Sequence, residues 1–227
     1  MAAAEAQPPR LFVLAGVNGA GKSSLGGATL RAGGASYYNP DEAAARIQAA
    51  QPGTEQRVAN GLAWQEGRRL LERAIAERKT YAFETTLGAS TIPSLLAAAA
   101  DGGMEVWVWF VGLDSAERHL ARVKARVAAG GHDIPEADIR RRWQASRENL
   151  VALLPKLARL WLYDNSPEAA PRAGKSPQPR LLLQMVDGKI VAPADLRATP
   201  AWAKPIVARA LQVEKSRRLP RSCAIPK

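Results

Sequence analysis

An apolar segment followed by a glycine-rich octapeptide constrains the fold of this chain more than any other feature. Residues 11–15 are apolar, and residues 16–23 read GVNGAGKS, which fits the pattern G-x-x-x-x-G-K-[ST] at every fixed position. A strand that turns abruptly into a helix needs glycines at the bend and brings backbone amides towards a polyphosphate. In such a loop Lys22 reaches the β- and γ-phosphates and the Ser23 hydroxyl holds Mg²⁺. We therefore predict a phosphate-binding P-loop rather than an ordinary glycine turn with a surface lysine.

Composition limits the classes of protein to which the chain can belong. Its 227 residues are 47% hydrophobic, which is enough to bury one substantial α/β core. No segment approaches the roughly eighteen consecutive apolar residues of a membrane span, and the N-terminus lacks the basic region of a signal peptide. The single cysteine, Cys223, cannot form an internal disulfide and argues against a cysteine nucleophile or a zinc site. We expect a cytoplasmic protein.

The net charge of +11 is concentrated near the C-terminus. Residues 1–171 carry 20 basic and 18 acidic side chains, whereas residues 172–227 carry 12 and 3. The second segment is also rich in proline and lacks interleaved aromatic residues for base stacking. We interpret it as a mostly solvated, partly disordered extension, and this interpretation disfavours nucleic acid as the partner.

Short apolar segments alternate with longer helical patterns, which is typical of a parallel sheet covered by helices. We predict strands at residues 11–15, 36–39, 81–84, 106–112 and 161–163. We predict helices at residues 55–79 with a cap from Thr54, at 91–101, after Ser115 to residue 129, and from Pro135 onward. The tract 181–191, interrupted by Asp187 and Gly188, predicts a β-hairpin. The fold class is therefore α/β, a P-loop NTPase fold with a central, mainly parallel sheet flanked by helices.

Two acidic residues lie where predicted strands end, at the edge that faces the nucleotide in this fold. Asp41 follows the second strand in the tract YYNPDE, where it can accept a proton from an attacking hydroxyl or simply cap its helix. Glu84 and Thr85 end the third strand in FETTLG. They can bind an acceptor or the water shell of Mg²⁺, or they can be ordinary turn residues.

Arginines are concentrated between residues 118 and 142. Arg118, Arg122 and Arg126 recur every four residues and so share one helical face, while residues 140–142 are consecutive arginines on the next predicted helix. Two glycines and His132 lie between the helices. The pattern indicates either an arginine-rich lid that closes over a nucleotide or a pair of solvated basic helices, with one or two arginines serving the phosphoryl group.

Taken in order, several tracts resemble the zeta toxin family of P-loop phosphotransferases, especially its short bacterial branch without an appended antitoxin. The resemblance covers residues 11–166 and rests on LAGVNGAGKSSL, YYNPDE, FETTLG, FVGLDSAERHLARVKARVAAGGHDIPEADIRRRW and LYDNS. It implies an ATP-dependent kinase that phosphorylates a sugar hydroxyl of a UDP-activated amino sugar such as UDP-N-acetylglucosamine. ATP, with GTP as the alternative donor, and Mg²⁺ are the implied cofactors, and a UDP-sugar is the implied partner.

The resemblance also implies roles for individual residues. Asp41 is the implied base, Lys22 serves the nucleotide, Ser23 holds the metal, and Arg126 with Arg142 stabilises the moving phosphoryl group. The implied nucleotide-binding residues are Gly16, Asn18, Gly19, Ala20, Gly21, Lys22, Ser23 and Ser24. The implied acceptor-binding residues are Asn39, Asp41, Glu84, Thr85 and Thr86.

Two rival functions remain open from the sequence. A P-loop ATPase needs a further acid for water activation, for which Asp114 is the only candidate, and Asp114 has the position of a helix cap. A polynucleotide end kinase would use the basic C-terminal segment. We divide the chain into an N-terminal extension (1–10), a kinase domain (11–170) and a basic C-terminal extension (171–227) with a hairpin, a helix and a tail. Whether an antitoxin exists does not follow from this chain.

Overall fold

A seven-stranded sheet forms the centre of the computed structural model, which describes residues 7–22, 37–167 and 179–218. The strands are β1 (Arg10–Ala15), β2 (Tyr37–Tyr38), β3 (Tyr81–Thr85), β4 (Glu105–Gly112), β5 (Arg159–Asp164), β6 (Arg180–Val186) and β7 (Lys189–Ala192). Their order in the sheet is β2-β3-β1-β4-β5-β6-β7. The first five strands are parallel, and β6 and β7 add antiparallel to the β5 edge. The predicted fold class is confirmed.

Six α-helices accompany the sheet in the described ranges. They are α1 (Pro40–Ala50), α2 (Gln56–Ala76), α3 (Thr91–Asp101), α4 (Ala116–Ala128), α5 (Glu136–Leu153) and α6 (Lys204–Arg218), with short 3₁₀ turns at Leu154–Lys156 and Ala201–Ala203. The predicted helices agree with these bounds to within a few residues, and the predicted hairpin is β6 and β7. None of the helices in this part of the chain combines the length and the apolar character needed to cross a membrane.

Two predicted helix caps are wrong. Thr54 does not cap α2, because its hydroxyl donates to the Gln51 carbonyl oxygen at 2.8 Å and the helix begins after Glu55 without a side-chain cap. Asp114 does not cap α4 either. The cap is Ser115, whose hydroxyl accepts from the Arg118 amide at 3.3 Å, while the Asp114 carboxylate forms an ion pair with the Arg118 guanidinium at 2.9 Å. An acid held in this way is not placed to activate water.

The register of the parallel strands brings the predicted site residues to one edge of the sheet. Leu14 of β1 pairs with Glu84 of β3, and Ala15 pairs with Thr85. Parallel strands have their carboxyl ends at one edge of the sheet, so the loop after β1, the end of β3 and the start of α1 after β2 meet there. The sheet order places β3 between β1 and β2, and the three segments are therefore neighbours.

The interpretation of the basic C-terminal segment as mostly solvated is wrong for residues 180–218. Strand β6 pairs with β5 and buries Leu183 and Met185, and α6 buries Ile206 and Ala210. A Cβ added at Gly112, the last residue of β4, would lie 2.2 Å from the buried Trp202 ring. This segment therefore belongs to the main hydrophobic core, because its apolar residues cover the far half of the sheet.

Candidate active site

The loop after β1 has the backbone conformation that its glycines allow. Gly16, Gly19 and Gly21 have φ angles of 146°, 80° and 86°, in the region that side chains disfavour. A Cβ at Gly16 would lie 2.3 Å from the Val111 carbonyl oxygen, so only glycine fits against β4. The predicted roles of Ser23 and Ser24 fall on residues outside those that the structure describes.

Two side chains form hydrogen bonds with the backbone of this loop. Neither was predicted from the sequence to belong to the site. His119 of α4 is buried, and its Nδ1 donates to the Asn18 carbonyl oxygen at 2.8 Å. Asn165, which follows β5, donates from Nδ2 to the Ala20 carbonyl oxygen at 2.8 Å. Burial lowers the pKa of His119 from 6.5 to about 4. The tract LYDNS contains Asn165, but its contact with Ala20 spans 145 positions of the sequence, and nothing local indicates it.

The charged residues predicted for the site lie near Lys22. Its Nζ donates to the Gly16 carbonyl oxygen at 2.9 Å. Burial lowers its pKa below the ordinary value, Glu84 and Asp41 act to raise the pKa, and Arg126 and Arg142 act to lower it further. Four residues predicted from three separate tracts therefore lie within electrostatic reach of the P-loop lysine.

A cavity of about 680 Å³ opens beside the loop. Of the predicted site residues, it is lined by Asn18, Asp41, Glu84, Thr85, Thr86 and Arg142. Asn39 and Arg126 are not among the lining residues, although both contact residues that are. The cavity is also lined by one face of α2 and by the connection between α4 and α5, including His132 and Asp133. The sequence analysis did not assign α2 to the site.

The carboxylate of Asp41 is not used as a helix cap. The cap of α1 is Asn39, whose Oδ1 accepts from the Asp41 amide at 2.9 Å and from the Glu42 amide at 3.4 Å. The Asp41 carboxylate lies 3.9 Å from Arg126 Nη1 and 3.9 Å from His132 Nε2. The capping alternative is therefore wrong, and Asp41 keeps a half-exposed carboxylate at the cavity.

Glu84 is buried at the end of β3, and neighbouring donors hold its carboxylate. The Tyr37 hydroxyl donates to Glu84 Oε1, and Asn39 Nδ2 donates to the same oxygen at 3.3 Å. Asn39 thus caps α1 and positions Glu84.

Arg142 and Arg126 differ from the more exposed Arg140 and Arg141 of α5. Arg142 Nη1 donates to the Asn18 side chain at 2.9 Å and so joins α5 to the P-loop. Arg126 Nη2 donates to the His132 carbonyl oxygen at 3.1 Å, and its buried Nε has no partner in the described residues. By contrast, Arg140 and Arg141 form exposed ion pairs with Glu117, Glu136 and Asp138, as solvated helices do.

The two arginine-bearing helices pack together and do not project into solvent. Their apolar side chains form a small cluster with P-loop residue Val17, and the buried members on the helices and their connection are Leu120, Val123, Ile134 and Ile139. In the described ranges, no three His, Cys, Asp or Glu residues are grouped as a metal site.

Comparisons with known proteins identify the family of this chain and structures that share its fold. The AAA_33 family model, an AAA domain, matches residues 11–150. An uncharacterized protein of Haemophilus influenzae is 31% identical over 128 residues, which are 56% of this chain and 88% of that protein.

Solved structures share the fold at low sequence identity. The AvrRxo1-ORF1:-ORF2 complex with ATP matches with a TM-score of 0.62 and 15% identity. The match covers 82% of the present chain but only 60% of the AvrRxo1 chain. The PezAT chromosomal toxin-antitoxin system of Streptococcus pneumoniae matches with a TM-score of 0.52 and 14% identity, over 95% of this chain and 87% of that one. Similarity at this level extends to fold alone, so the narrower resemblance to zeta toxins stays a prediction.

Proposed function

Because the chain belongs to the AAA domain family and has a P-loop kinase-like fold, we propose that it is an ATP-dependent kinase. The acceptor is a hydroxyl group of a small nucleotide-linked metabolite, and UDP-N-acetylglucosamine is the first compound to test. ATP is the proposed donor, with Mg²⁺ bound to its phosphates and to Ser23. The chain spans 60% of the AvrRxo1 chain that it matches, and the proposal concerns the activity of this chain alone.

One observation carries the proposal. The Asp41 carboxylate does not cap its helix. Asp41 lines the 680 Å³ cavity and acts electrostatically on the P-loop lysine. A base beside a polyphosphate site, with room for a second molecule, is what transfer to a hydroxyl requires. An ATPase needs no such acceptor cavity.

In the proposed reaction the acceptor oxygen forms a bond to the γ-phosphorus while the bond from that phosphorus to the β,γ-bridging oxygen breaks. The hydroxyl proton passes to Asp41, and ADP leaves. Lys22, Arg126 and Arg142 offset the negative charge of the transferred group, an effect that is strong in a site shielded from water. Mg²⁺ on the phosphates supplies further charge neutralisation.

The test is transfer of labelled γ-phosphate from ATP to UDP-sugars, other nucleotides and short oligonucleotides. Lys22→Ala provides the blank. Asp41→Asn is expected to bind ATP normally and to lose about 10²–10⁴-fold in transfer rate, the usual contribution of a general base. Glu42→Gln is the matched control, because Glu42 is the adjacent acid on α1 and does not line the cavity.

The outcomes separate the alternatives. Transfer by Asp41→Asn at the parent rate would show that Asp41 is not the base. Release of free phosphate without any labelled acceptor would indicate an ATPase, and labelled oligonucleotides would indicate a polynucleotide kinase. A labelled UDP-sugar that is absent from the Lys22→Ala blank supports the proposal.

A further inference from the structure

One face of α2 lines the cavity with side chains that the proposed reaction does not use. The cavity-lining residues of α2 are Gln56, Arg57, Asn60, Gly61, Trp64 and Gly67. The four from Arg57 to Trp64 are here called the α2 wall. They recur at intervals of three or four residues, so they share one side of the helix. The same cavity is lined by Asp41 and Glu84. The α2 wall is therefore placed to contact whatever molecule presents its hydroxyl to Asp41.

Trp64 differs from the other tryptophans of the chain. It is 42% exposed and has no aromatic or cation-π contact within the described ranges. Trp107, Trp109 and Trp161 contact one another on the sheet. Trp143 stacks on Arg147, and Trp202 is buried. An indole left exposed in a cavity offers a face on which a planar ring can stack.

The polar members of the wall also retain binding capacity. Arg57 makes no hydrogen bond or ion pair with any residue that the structure describes. Asn60 accepts through Oδ1 from Gln56 Nε2 at 2.9 Å, and its own amide hydrogens have no partner in the same part of the chain. Arg57 and Trp64 are seven residues apart, which corresponds to about 10 Å along the helix axis. This spacing suits a ligand with an anionic group at one end and a flat ring at the other.

We propose that the α2 wall binds the acceptor, with a nucleobase stacked on Trp64 and phosphate oxygens paired with Arg57. The inference rests on the proposed kinase function and assigns to its acceptor the class of nucleoside diphosphates and their conjugates. Asn60 donates to the ring edge or to the ribose, and Gly61 leaves the space that the ligand fills.

The base of the donor nucleotide has the same chemistry, but the geometry favours the acceptor. Of the described P-loop residues, only Asn18 lines the cavity. The loop contacts α4 through His119 and the end of β5 through Asn165, and neither residue lines the cavity. The α2 wall therefore shares its cavity with the proposed base and not with the body of the phosphate loop.

Gly61 provides a substitution that fills the site without disturbing the fold. A Cβ at this position meets no atom within 4 Å, and replacing a glycine in a helix interior favours the helix. Gly61→Leu is expected to preserve folding and ADP binding and to weaken acceptor binding by at least about tenfold, since the leucine occupies ligand space.

The experiment measures equilibrium binding with ADP saturating the P-loop, so that no γ-phosphate is available for transfer. The probes are UDP, CDP and GDP, with ribose 5-phosphate as a probe that has the anion but no base. Trp64→Ala is expected to weaken binding of the preferred nucleotide about tenfold, and Trp64→Phe to retain it, because stacking needs only a ring. Ribose 5-phosphate should be unaffected by Trp64→Ala but weakened by Arg57→Gln. Leu62→Ala, an exposed position on α2 outside the cavity, is the matched control.

Three results would overturn the inference. The first is unchanged nucleotide affinity in Trp64→Ala. The second is no binding of any of the three nucleotides at millimolar concentration. The third is weakened ADP binding in Trp64→Ala, which would assign the wall to the donor. Nucleotide binding that depends on Trp64 but occurs without phosphoryl transfer would support the α2 wall and refute the kinase proposal. Transfer to a compound that needs neither Trp64 nor Arg57 would support the kinase proposal and refute the α2 wall as the acceptor site.

Discussion

Acidification is expected to destabilise this protein through one buried histidine beneath the P-loop. His119 is 1% exposed, and its Nδ1 proton is donated to the Asn18 carbonyl oxygen. Burial lowers its pKa from 6.5 to about 4. Between these values the unfolded chain binds a proton at this residue and the folded chain does not, so stability falls as the pH falls.

The magnitude follows from the difference in pKa. The difference between a pKa of 6.5 and a pKa of about 4 lowers the free energy of unfolding by about 3 kcal/mol when the pH is well below 4. Between pH 7 and pH 5 the same linkage removes about 2 kcal/mol of the free energy of unfolding. For a chain of this length, that loss lowers the melting temperature by about 4–8 °C.

The assay is chemical or thermal unfolding at several pH values between 5 and 7, followed by circular dichroism. His119→Asn keeps an amide donor near the position of Nδ1 but cannot titrate, so its stability should change little over this range. Leu62→Ala, an exposed position on α2 without a titratable group, provides the control and should retain the parent pH dependence. Equal pH dependence in the parent and in His119→Asn would refute the reasoning, whatever the absolute stability of the variant.

Three further predictions concern packing and the loop. Gly112→Ala should destabilise the fold by about 1–3 kcal/mol, because its Cβ would enter the Trp202 ring; unchanged denaturant midpoints would contradict this contact. Asn165→Ala should raise the Kd for ATP about five- to tenfold, since it leaves the Ala20 carbonyl oxygen without its hydrogen bond; calorimetry would detect the change, and parent affinity would argue against it. Truncation after Pro167 should give an aggregating protein, because it removes the strand that pairs with β5; a soluble, monomeric product on gel filtration would show that the C-terminal segment is dispensable.

Residues at strand ends were the part of the site that the sequence could predict. The P-loop follows β1, Asp41 follows β2, and Glu84 lies near the end of β3. Each strand is recognisable as an apolar segment, and parallel pairing then brings the carboxyl ends to one edge. Identifying the strands was therefore enough to bring these residues together, without knowledge of any side-chain contact.

The C-terminal segment shows where local patterns mislead. Its proline content and positive charge match those of a solvated extension, yet Leu183, Met185, Ile206 and Ala210 are buried. The charged residues occupy the outward faces of the same elements, so composition averaged over the segment hides its apolar side. The pairing of β6 with β5 is a contact between distant parts of the sequence, which the composition of the segment does not indicate.

The α2 wall could not be predicted for a related reason. A helix with exposed Arg57, Gly61 and Trp64 has the same pattern whether this face meets solvent or a cavity. The difference lies in the packing of α1 and α2 against each other, which places that face beside the carboxyl edge of the sheet. Under the proposed function, helix packing would determine acceptor specificity, whereas strand order determines the position of the phosphate loop. Substitutions on α2 should accordingly change which acceptor is used, and substitutions at strand ends should change whether transfer occurs.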